Sequence, residues 1–138
     1  MSTDHTIYLE AHGTGTRVCD PAELEAISKA LGTDSREKEL LVGSVKTNIG
    51  HSEAAAGIAG LIKCILVLEN SKIPPTIGIW NLNPRVPSKR WNLQVADRLT
   101  SWPSNDKIWR ISISSFGASG TIAHVVLDGS EAYWDAHN

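Results

Sequence analysis

The amino-acid sequence predicts an α/β fold in which helices cover a mixed β-sheet. Short apolar strands alternate with helical segments along the chain, and two strands near the C-terminus flank a tight loop as in a hairpin. The stretch from Ala54 to Leu68 is apolar around its whole circumference, interrupted by Lys63. Because it is shorter than the roughly 18 to 20 apolar residues that span a bilayer, it predicts a helix buried in a layered core.

The first strand is predicted over residues 7–9, and a Gly/Thr-rich loop follows it. The next helix has Asp20 as a suitable N-cap and Glu23 as the carboxylate of a capping box, and Gly32 is expected to close it. Residues 40–45 are predicted to form the second strand.

A loop is predicted over residues 46–51, after which Ser52 can cap the buried helix. The small residues at 54–60 would let neighbouring backbones approach that helix closely. A short strand is expected over residues 93–95. Residues 110–114 alternate as in a strand, residues 115–120 form a tight loop of small residues, and residues 121–127 make a second strand, so the pair predicts a hairpin.

The composition excludes several classes of function. Hydrophobic residues make up 41% of the chain and charged residues 20%, as in ordinary globular proteins. The formal net charge of −2 provides no basic surface for nucleic acid, and no stretch predicts a membrane span. Two cysteines are too few for a disulfide framework and fit a reducing compartment, so we expect a cytoplasmic protein.

Three loops rich in Gly, Ser or Thr each follow a predicted strand. They read EAHGTGT at residues 10–16, KTNIGH at residues 46–51 and SFGASGT at residues 115–121. Loops at strand ends are where α/β folds place their sites. The glycines of the first loop do not have the spacing of a Walker or dinucleotide motif, which argues against a phosphate-binding loop. A single histidine in one such loop is more often structural than catalytic.

Taken together, the order and spacing of these loops resemble those of the condensing domain of polyketide synthases, a member of the β-ketoacyl synthase family. The first loop and the DPAE that follows it are similar to the family's histidine loop. The second and third are similar to its second histidine loop and its C-terminal hairpin loop. The resemblance covers residues 7–129, and the connection over residues 73–103 is most similar to iterative fungal synthases.

This resemblance implies a thiolase-like fold of two similar halves, of which the chain corresponds to the C-terminal half. We expect a half-domain over residues 1–129 and a tail or linker over residues 130–138. The family's nucleophilic cysteine lies in the other half, in an Ala-Cys-Ser-Ser turn that is absent from this sequence. Met1 would then fall in the middle of a longer domain.

The chemistry implied is a decarboxylative Claisen condensation of acyl and malonyl thioesters. By resemblance, His12 and His51 are neutral imidazoles that donate hydrogen bonds to a thioester oxygen as it becomes negative, each worth roughly 2.7 to 4 kcal/mol. Lys46 would supply a positive charge that orients the second loop. Thr14 and Thr16 would bind the phosphopantetheine arm of an acyl carrier protein, although turn-forming threonines remain an alternative. We expect no metal and no directly bound cofactor.

The active-site loop of the third motif is expected to comprise Phe116, Gly117 and Ala118. Ala118 stands where related fatty-acid synthases carry a gating phenylalanine, and Ile122 stands where asparagine is usual in the family. His124 is expected to be a structural histidine of the second hairpin strand.

Neither cysteine is expected to be a nucleophile. Cys64 lies in the buried helix, where a small apolar residue belongs. Cys19 lies where the family usually has glycine, which would strain the backbone if that position needs a positive φ. Neither stands in an elbow that would lower the pKa of a thiol.

Three hypotheses follow for the chain as a whole. The first is a piece of a synthase that cannot condense alone. The second is a stand-alone non-catalytic half-domain that binds a carrier protein or synthase partner, and the third is a plain α/β protein with similar loops. In the first, the missing N-terminal half covers the helix at 54–68, and the full domain forms a homodimer. Without that cover, exposed apolar surface predicts dimers, aggregates or a need for a partner.

Overall fold

A five-stranded sheet organises the chain in the computed structural model, which describes residues 3–31, 36–103, 108–130 and Trp134. In chain order the elements are β1 (Thr6–Glu10), α1 (Cys19–Leu31), β2 (Leu40–Gly43), α2 (Lys46–Ile49), α3 (Ala56–Asn70), β3 (Lys72–Ile73), β4 (Leu93–Val95), β5 (Thr100–Ser101), β6 (Arg110–Phe116) and β7 (Ile122–Asp128). Gly32, which was predicted to close α1, lies outside the described residues. Of the expected tail, only Ser130 and Trp134 are described.

The sheet has the strand order β4-β2-β1-β6-β7 and is mixed, as predicted. Strands β4, β2, β1 and β6 run parallel, whereas β7 pairs antiparallel with β6 as the second strand of the hairpin. The two-residue strands β3 and β5 form a separate antiparallel ladder. Because parallel strands end at the same edge, the segments that follow β1, β2 and β6 leave the sheet side by side.

Side chains alternate along the strands to form two cores, one on each face of the sheet. On one face, Tyr8, Leu41 and Ile113 belong to a cluster that includes Cys64 and Val67 of α3. On the other face, the cluster joins strand residues to α1 and is formed by Leu9, Ala11, Ile27, Leu40, Val42 and Leu93. The sheet is therefore covered by α3 on one side and α1 on the other.

Helix α3 is buried along one face only, which corrects the expectation of a fully buried helix. Its face toward the sheet consists of Ala56, Gly60, Lys63, Cys64 and Val67. Its opposite face remains exposed and consists of Ile58, Ile62, Ile65 and Leu66. The predicted apolar patch is thus present. Within the described residues, no helix has both the length and the apolar character to cross a membrane.

Three local predictions about element ends were wrong. Strand β2 stops at Gly43 because the chain turns into the short helix α2 where a loop was expected. The side chain of Ser52 makes no capping hydrogen bond, and a 3₁₀ turn at Glu53–Ala55 precedes α3. Asp20 does not cap α1 as expected, since its carboxylate accepts hydrogen bonds from the backbone of the preceding loop.

Candidate active site

The three sequence motifs meet at the carboxyl edge of the sheet. The imidazole of His12, after β1, lies 5.6 Å from the imidazole of His51, after α2, measured between ring centroids. The ring of Phe116, at the end of β6, lies 5.4 Å from the His12 ring. The structure thus brings together one residue from each motif.

The backbone of the first histidine loop is held by a carboxylate from α1. The backbone N–H groups of His12 and Gly13 donate to the two carboxylate oxygens of Glu23, at 2.7 and 2.9 Å. Gly13 has a φ of +48°, and a Cβ there would lie 2.8 Å from the Cβ of Ser44, so glycine is required. Burial raises the pKa of Glu23, and the two N–H donors act in the opposite direction. Glu23, expected to close a capping box, instead anchors the loop.

Each histidine ring accepts a backbone hydrogen bond on Nδ1. The N–H of Phe116 donates to Nδ1 of His12 at 3.3 Å, and the N–H of Glu53 donates to Nδ1 of His51 at 2.9 Å. Because a backbone N–H can only donate, the proton of each neutral ring lies on Nε2. Both rings can therefore offer an Nε2–H donor at the same edge of the sheet.

The position of Glu53 carries backbone strain. Its φ is +52°, in a region that non-glycine residues rarely adopt. The strained turn directs the N–H of Glu53 toward His51, which is exposed. Such strain costs of order 1 to 3 kcal/mol and is concentrated at functional sites.

Lys46 lies at the start of α2 and acts on the site through charge. Burial lowers the pKa of its ammonium group, while the carboxylates of Glu10 and Glu23 oppose that shift. The pKa of His12 is lowered by burial first and then by the positive charge of Lys46 and by His51. Lys46 therefore favours the neutral form of His12.

The two threonines of the first loop differ in their surroundings. Thr14 is half-buried, whereas Thr16 is exposed. The hydroxyl oxygen of Thr16 accepts a hydrogen bond from the N–H of Cys19 at 3.1 Å, so Thr16 caps α1. An open groove of about 900 Å³ runs beside Thr16 and is lined in part by Arg17 and Trp80.

The third loop is a tight turn that closes the hairpin. The N–H of Gly117 donates to the carbonyl oxygen of Thr121 at 2.8 Å, and the N–H of Gly120 donates to the carbonyl oxygen of Gly117 at 3.0 Å. Gly117 and Ala118 are exposed, while Phe116 is half-buried against His12. Nδ1 of His124 lies 3.1 Å from the hydroxyl oxygen of Ser114, within the β6–β7 ladder.

The two cysteines differ in their surroundings. Cys64 is fully buried in the core, and burial raises the pKa of its thiol, so the reactive thiolate is disfavoured. Cys19 is exposed at the start of α1 and is not among the residues with positive φ. The position does not need a positive φ, so cysteine does not strain the backbone there.

Sequence reasoning missed a buried ionic cluster beneath the histidines. The ammonium of Lys63 lies 2.8 Å from the carboxylate of Glu10, with both side chains almost completely buried. The hydroxyl of Tyr8 donates to the same carboxylate oxygen of Glu10 at 2.6 Å. One signal was available: a lysine inside an apolar helix needs a buried partner of opposite charge.

Comparison with known families identifies the chain. The family model described as the C-terminal domain of β-ketoacyl synthase matches residues 2–79. The chain belongs to the β-ketoacyl synthase family. A second model, described as the C-terminal extension of ketoacyl synthetases, matches residues 83–136.

Curated relatives of this β-ketoacyl synthase chain are fungal polyketide synthases. A highly reducing polyketide synthase of Aspergillus terreus is 47% identical over 130 residues, covering 94% of the chain and 5% of the relative. The reducing polyketide synthase hmp8 of Hypomyces subiculosus is 49% identical over 124 residues, covering 89% of the chain and 5% of the relative. The chain thus spans about one twentieth of the length of these proteins, and its resemblance to the condensing domain of fungal synthases is confirmed.

Solved structures of ketosynthases show the same fold. The ketosynthase from module 6 of the bacillaene synthase of Bacillus subtilis superposes with a TM-score of 0.87 at 39% identity, covering 93% of the chain and 23% of that protein chain. Ketosynthase twelve of the bacillaene synthase of Bacillus amyloliquefaciens gives a TM-score of 0.89 at 36% identity, with 95% and 24% covered. The prediction of a thiolase-like C-terminal half is therefore confirmed.

Proposed function

We propose that this chain supplies the two imidazoles and the ammonium group of a ketosynthase that catalyses decarboxylative Claisen condensation. The observation that carries the proposal is the pair of histidines 5.6 Å apart, each held on Nδ1 by a backbone N–H. Two neighbouring imidazoles that each carry an Nε2–H donor suit a thioester oxygen that becomes negative. Each such donor is worth roughly 2.7 to 4 kcal/mol of transition-state stabilisation.

The malonyl group is held as a thioester on the phosphopantetheine arm of an acyl carrier protein. Its α-carbon first loses the carboxylate and then forms the new carbon–carbon bond. The bond from the α-carbon to the carboxylate breaks, carbon dioxide leaves, and the electron pair passes into the thioester enolate. His12 and His51 donate hydrogen bonds to the enolate oxygen. The enolate carbon then attacks the acyl carbon of a second thioester, and the thiolate that held the acyl group leaves.

Lys46 keeps the His12 donor from becoming an acid. An imidazolium ring would transfer a proton to the enolate and destroy the nucleophile. By lowering the pKa of His12, burial and the Lys46 charge favour a neutral ring that donates a hydrogen bond without transferring its proton.

Thr14 and Thr16 would contact the phosphopantetheine arm as it approaches the histidines. The open groove beside Thr16 supports this role, whereas the hydrogen bond from Cys19 to its hydroxyl oxygen supports the turn-forming alternative. Replacement of Thr14 by valine should raise the KM for the malonyl thioester and leave kcat nearly unchanged. An unchanged KM would assign Thr14 to the turn alone.

The nucleophile must come from another segment of polypeptide. Loss of a covalent nucleophile costs on the order of a millionfold in turnover, so the chain by itself is proposed to be inactive. The exposed face of α3 would pack against the N-terminal ketosynthase half that carries the cysteine, within a homodimer of the full domain. Residues 1–129 would act as one half-domain, since β4, β6 and β7 complete the sheet that β1 and β2 begin.

Reconstitution tests the proposed function. The chain would be co-produced with the N-terminal ketosynthase half of the Aspergillus terreus relative, and condensation measured from acyl and malonyl thioesters on a carrier protein. We expect activity in the mixture, and a loss of about 100-fold or more in kcat for His12→Gln or His51→Gln. His124→Gln is the matched control and should retain activity.

Three results would count against the proposal. Full activity of His12→Gln and His51→Gln would remove the imidazoles from the mechanism. Condensation by the chain alone would contradict the need for a second half. Binding to the N-terminal half without any condensation would favour a non-catalytic half-domain.

A further inference from the structure

The carboxylate of Glu10 is the meeting point of the elements that carry the candidate site. Glu10 ends β1 two residues before His12 and is 2% exposed. Its Oε1 accepts a hydrogen bond from the backbone N–H of Val45 at 2.5 Å. Its Oε2 receives the hydroxyl of Tyr8 at 2.6 Å and the ammonium of Lys63 at 2.8 Å.

These contacts join three segments that are distant in sequence. Val45 directly precedes Lys46, so the Oε1 contact fixes where the second histidine loop begins. Lys63 belongs to α3, and its ammonium also donates to the Tyr8 hydroxyl at 2.7 Å. A single carboxylate therefore sets the spacing between the His12 loop, the Lys46–His51 segment and the helix that packs beneath them.

Two glycines make room for this cluster. A Cβ at Gly43 would lie 2.5 Å from the Tyr8 hydroxyl, and a Cβ at Gly60 would lie 3.2 Å from Cγ of Glu10. Contacts this short exclude a larger residue at Gly43 unless Tyr8 moves. The neighbouring backbone is thus shaped around Tyr8 and Glu10, as expected for a preorganised support and not for a chance ion pair.

We propose that Tyr8 and Lys63, acting through Glu10, are positioning residues for the two histidine loops. Lys63 forms a buried ion pair with the Glu10 carboxylate, and Tyr8 fixes the orientation of that carboxylate. The carboxylate then holds the Val45 N–H, which keeps Lys46 and His51 at their distance from His12. The catalytic consequence rests on the proposed function, whereas the effect on the two rings does not.

The test removes the cluster's charges and keeps its shape, in the double variant Glu10→Gln with Lys63→Met. The matched control is Arg110→Met with Asp128→Asn, which removes a bidentate ion pair at the other end of the hairpin, with distances of 2.6 and 2.7 Å. Amide hydrogen exchange at Val45 and the ¹⁵N shifts of the histidine rings would be measured on the whole chain. The reconstituted ketosynthase would be assayed for kcat and KM.

We expect Val45 exchange to accelerate about tenfold, because a neutral acceptor holds the N–H less strongly than a carboxylate. The ring shifts of His12 and His51 should move away from the pure Nε2–H tautomer, and kcat should fall about tenfold with KM unchanged. The control pair should change none of these. If the double variant does not fold, Tyr8→Phe keeps both charges and should show the same changes to a smaller extent.

The proposal is overturned if Val45 exchange and both histidine rings are the same in the variants and the parent protein. It is also overturned if the control pair produces equal changes, since the effect would then be a general loss of stability. A parent chain that fails to condense after reconstitution would refute the proposed function instead. The exchange and ring measurements would still decide the positioning role in that case.

Discussion

Replacement of Gly43 by alanine should destabilise the protein strongly, although glycine-to-alanine changes in regular structure are usually mild. The added Cβ would lie 2.5 Å from the Tyr8 hydroxyl and 2.7 Å from the Thr76 hydroxyl, both in the buried layer beside β2. Overpacking of this kind costs about 1 to 3 kcal/mol. Displacing Tyr8 from the Glu10 carboxylate adds the loss of a hydrogen bond to a charged group, about 1.5 to 3 kcal/mol.

The reduced entropy of the unfolded chain offsets about 0.4 to 1 kcal/mol of this loss. The net decrease in the free energy of unfolding is therefore about 2 to 5 kcal/mol. With a urea dependence of about 2 kcal/mol per molar, the unfolding midpoint should fall by about 1 to 2.5 M.

Urea unfolding followed by circular dichroism measures this shift. Gly129→Ala is the matched control, because a Cβ there would lie 3.4 Å from the Cβ of Trp109, an ordinary contact. In Gly43→Ala combined with Tyr8→Phe, the loss should be smaller than the sum of the two single losses, since the hydroxyl that clashes is gone. Equal midpoints for Gly43→Ala and Gly129→Ala, or strictly additive losses, would refute the reasoning.

Three further predictions concern charge and exposed surface. Lys46→Met should raise the pKa of His12, because the lysine charge disfavours the imidazolium form, and an NMR titration of the ring measures this. The pKa of Glu23 is raised in the folded state, so protonated Glu23 stabilises the fold relative to the unfolded chain. The parent should therefore lose stability relative to Glu23→Gln as the pH rises from the ordinary carboxyl pKa through the raised one. Urea unfolding from pH 4 to 7 measures this trend. Ile62→Ser on the exposed face of α3 should reduce self-association in light scattering, since Ile62 is 52% exposed.

Each of these predictions has its own control and contrary result. Lys29→Met removes a charge paired with Glu25 on the exposed side of α1 and should leave the His12 titration unchanged. A stability difference between the parent and Glu23→Gln that is constant with pH would show that Glu23 does not titrate in that window. Val18→Ser, at a residue 66% exposed on a different segment, should leave association unchanged. Equal self-association of the Ile62 and Val18 variants would show that the exposed face of α3 is not the surface that associates.

The fold was largely predictable because its signals are local. Alternation at residues 110–114 and the small-residue loop after it predicted the β6–β7 hairpin. The strand predicted at residues 7–9 is one residue longer at each end in the structure. The three Gly-, Ser- and Thr-rich loops were predicted at strand ends, and the parallel pairing of β1 with β2 and β6 places all three at one edge of the sheet. The structure brings the rings of His12, His51 and Phe116 together at that edge.

The sequence by itself determined which residues lie at the strand ends, because the patterns that mark strands and loops extend over only a few neighbouring residues. Only the tertiary structure decided the partners of the buried carboxylates. Glu23 looked like a helix cap and holds the His12 loop, and Glu10 meets Lys63 across the sheet–helix layer. An unpaired buried charge carries a large desolvation cost, so each buried carboxylate needs a partner. Which partner lies within contact distance depends on how distant segments of the chain pack together.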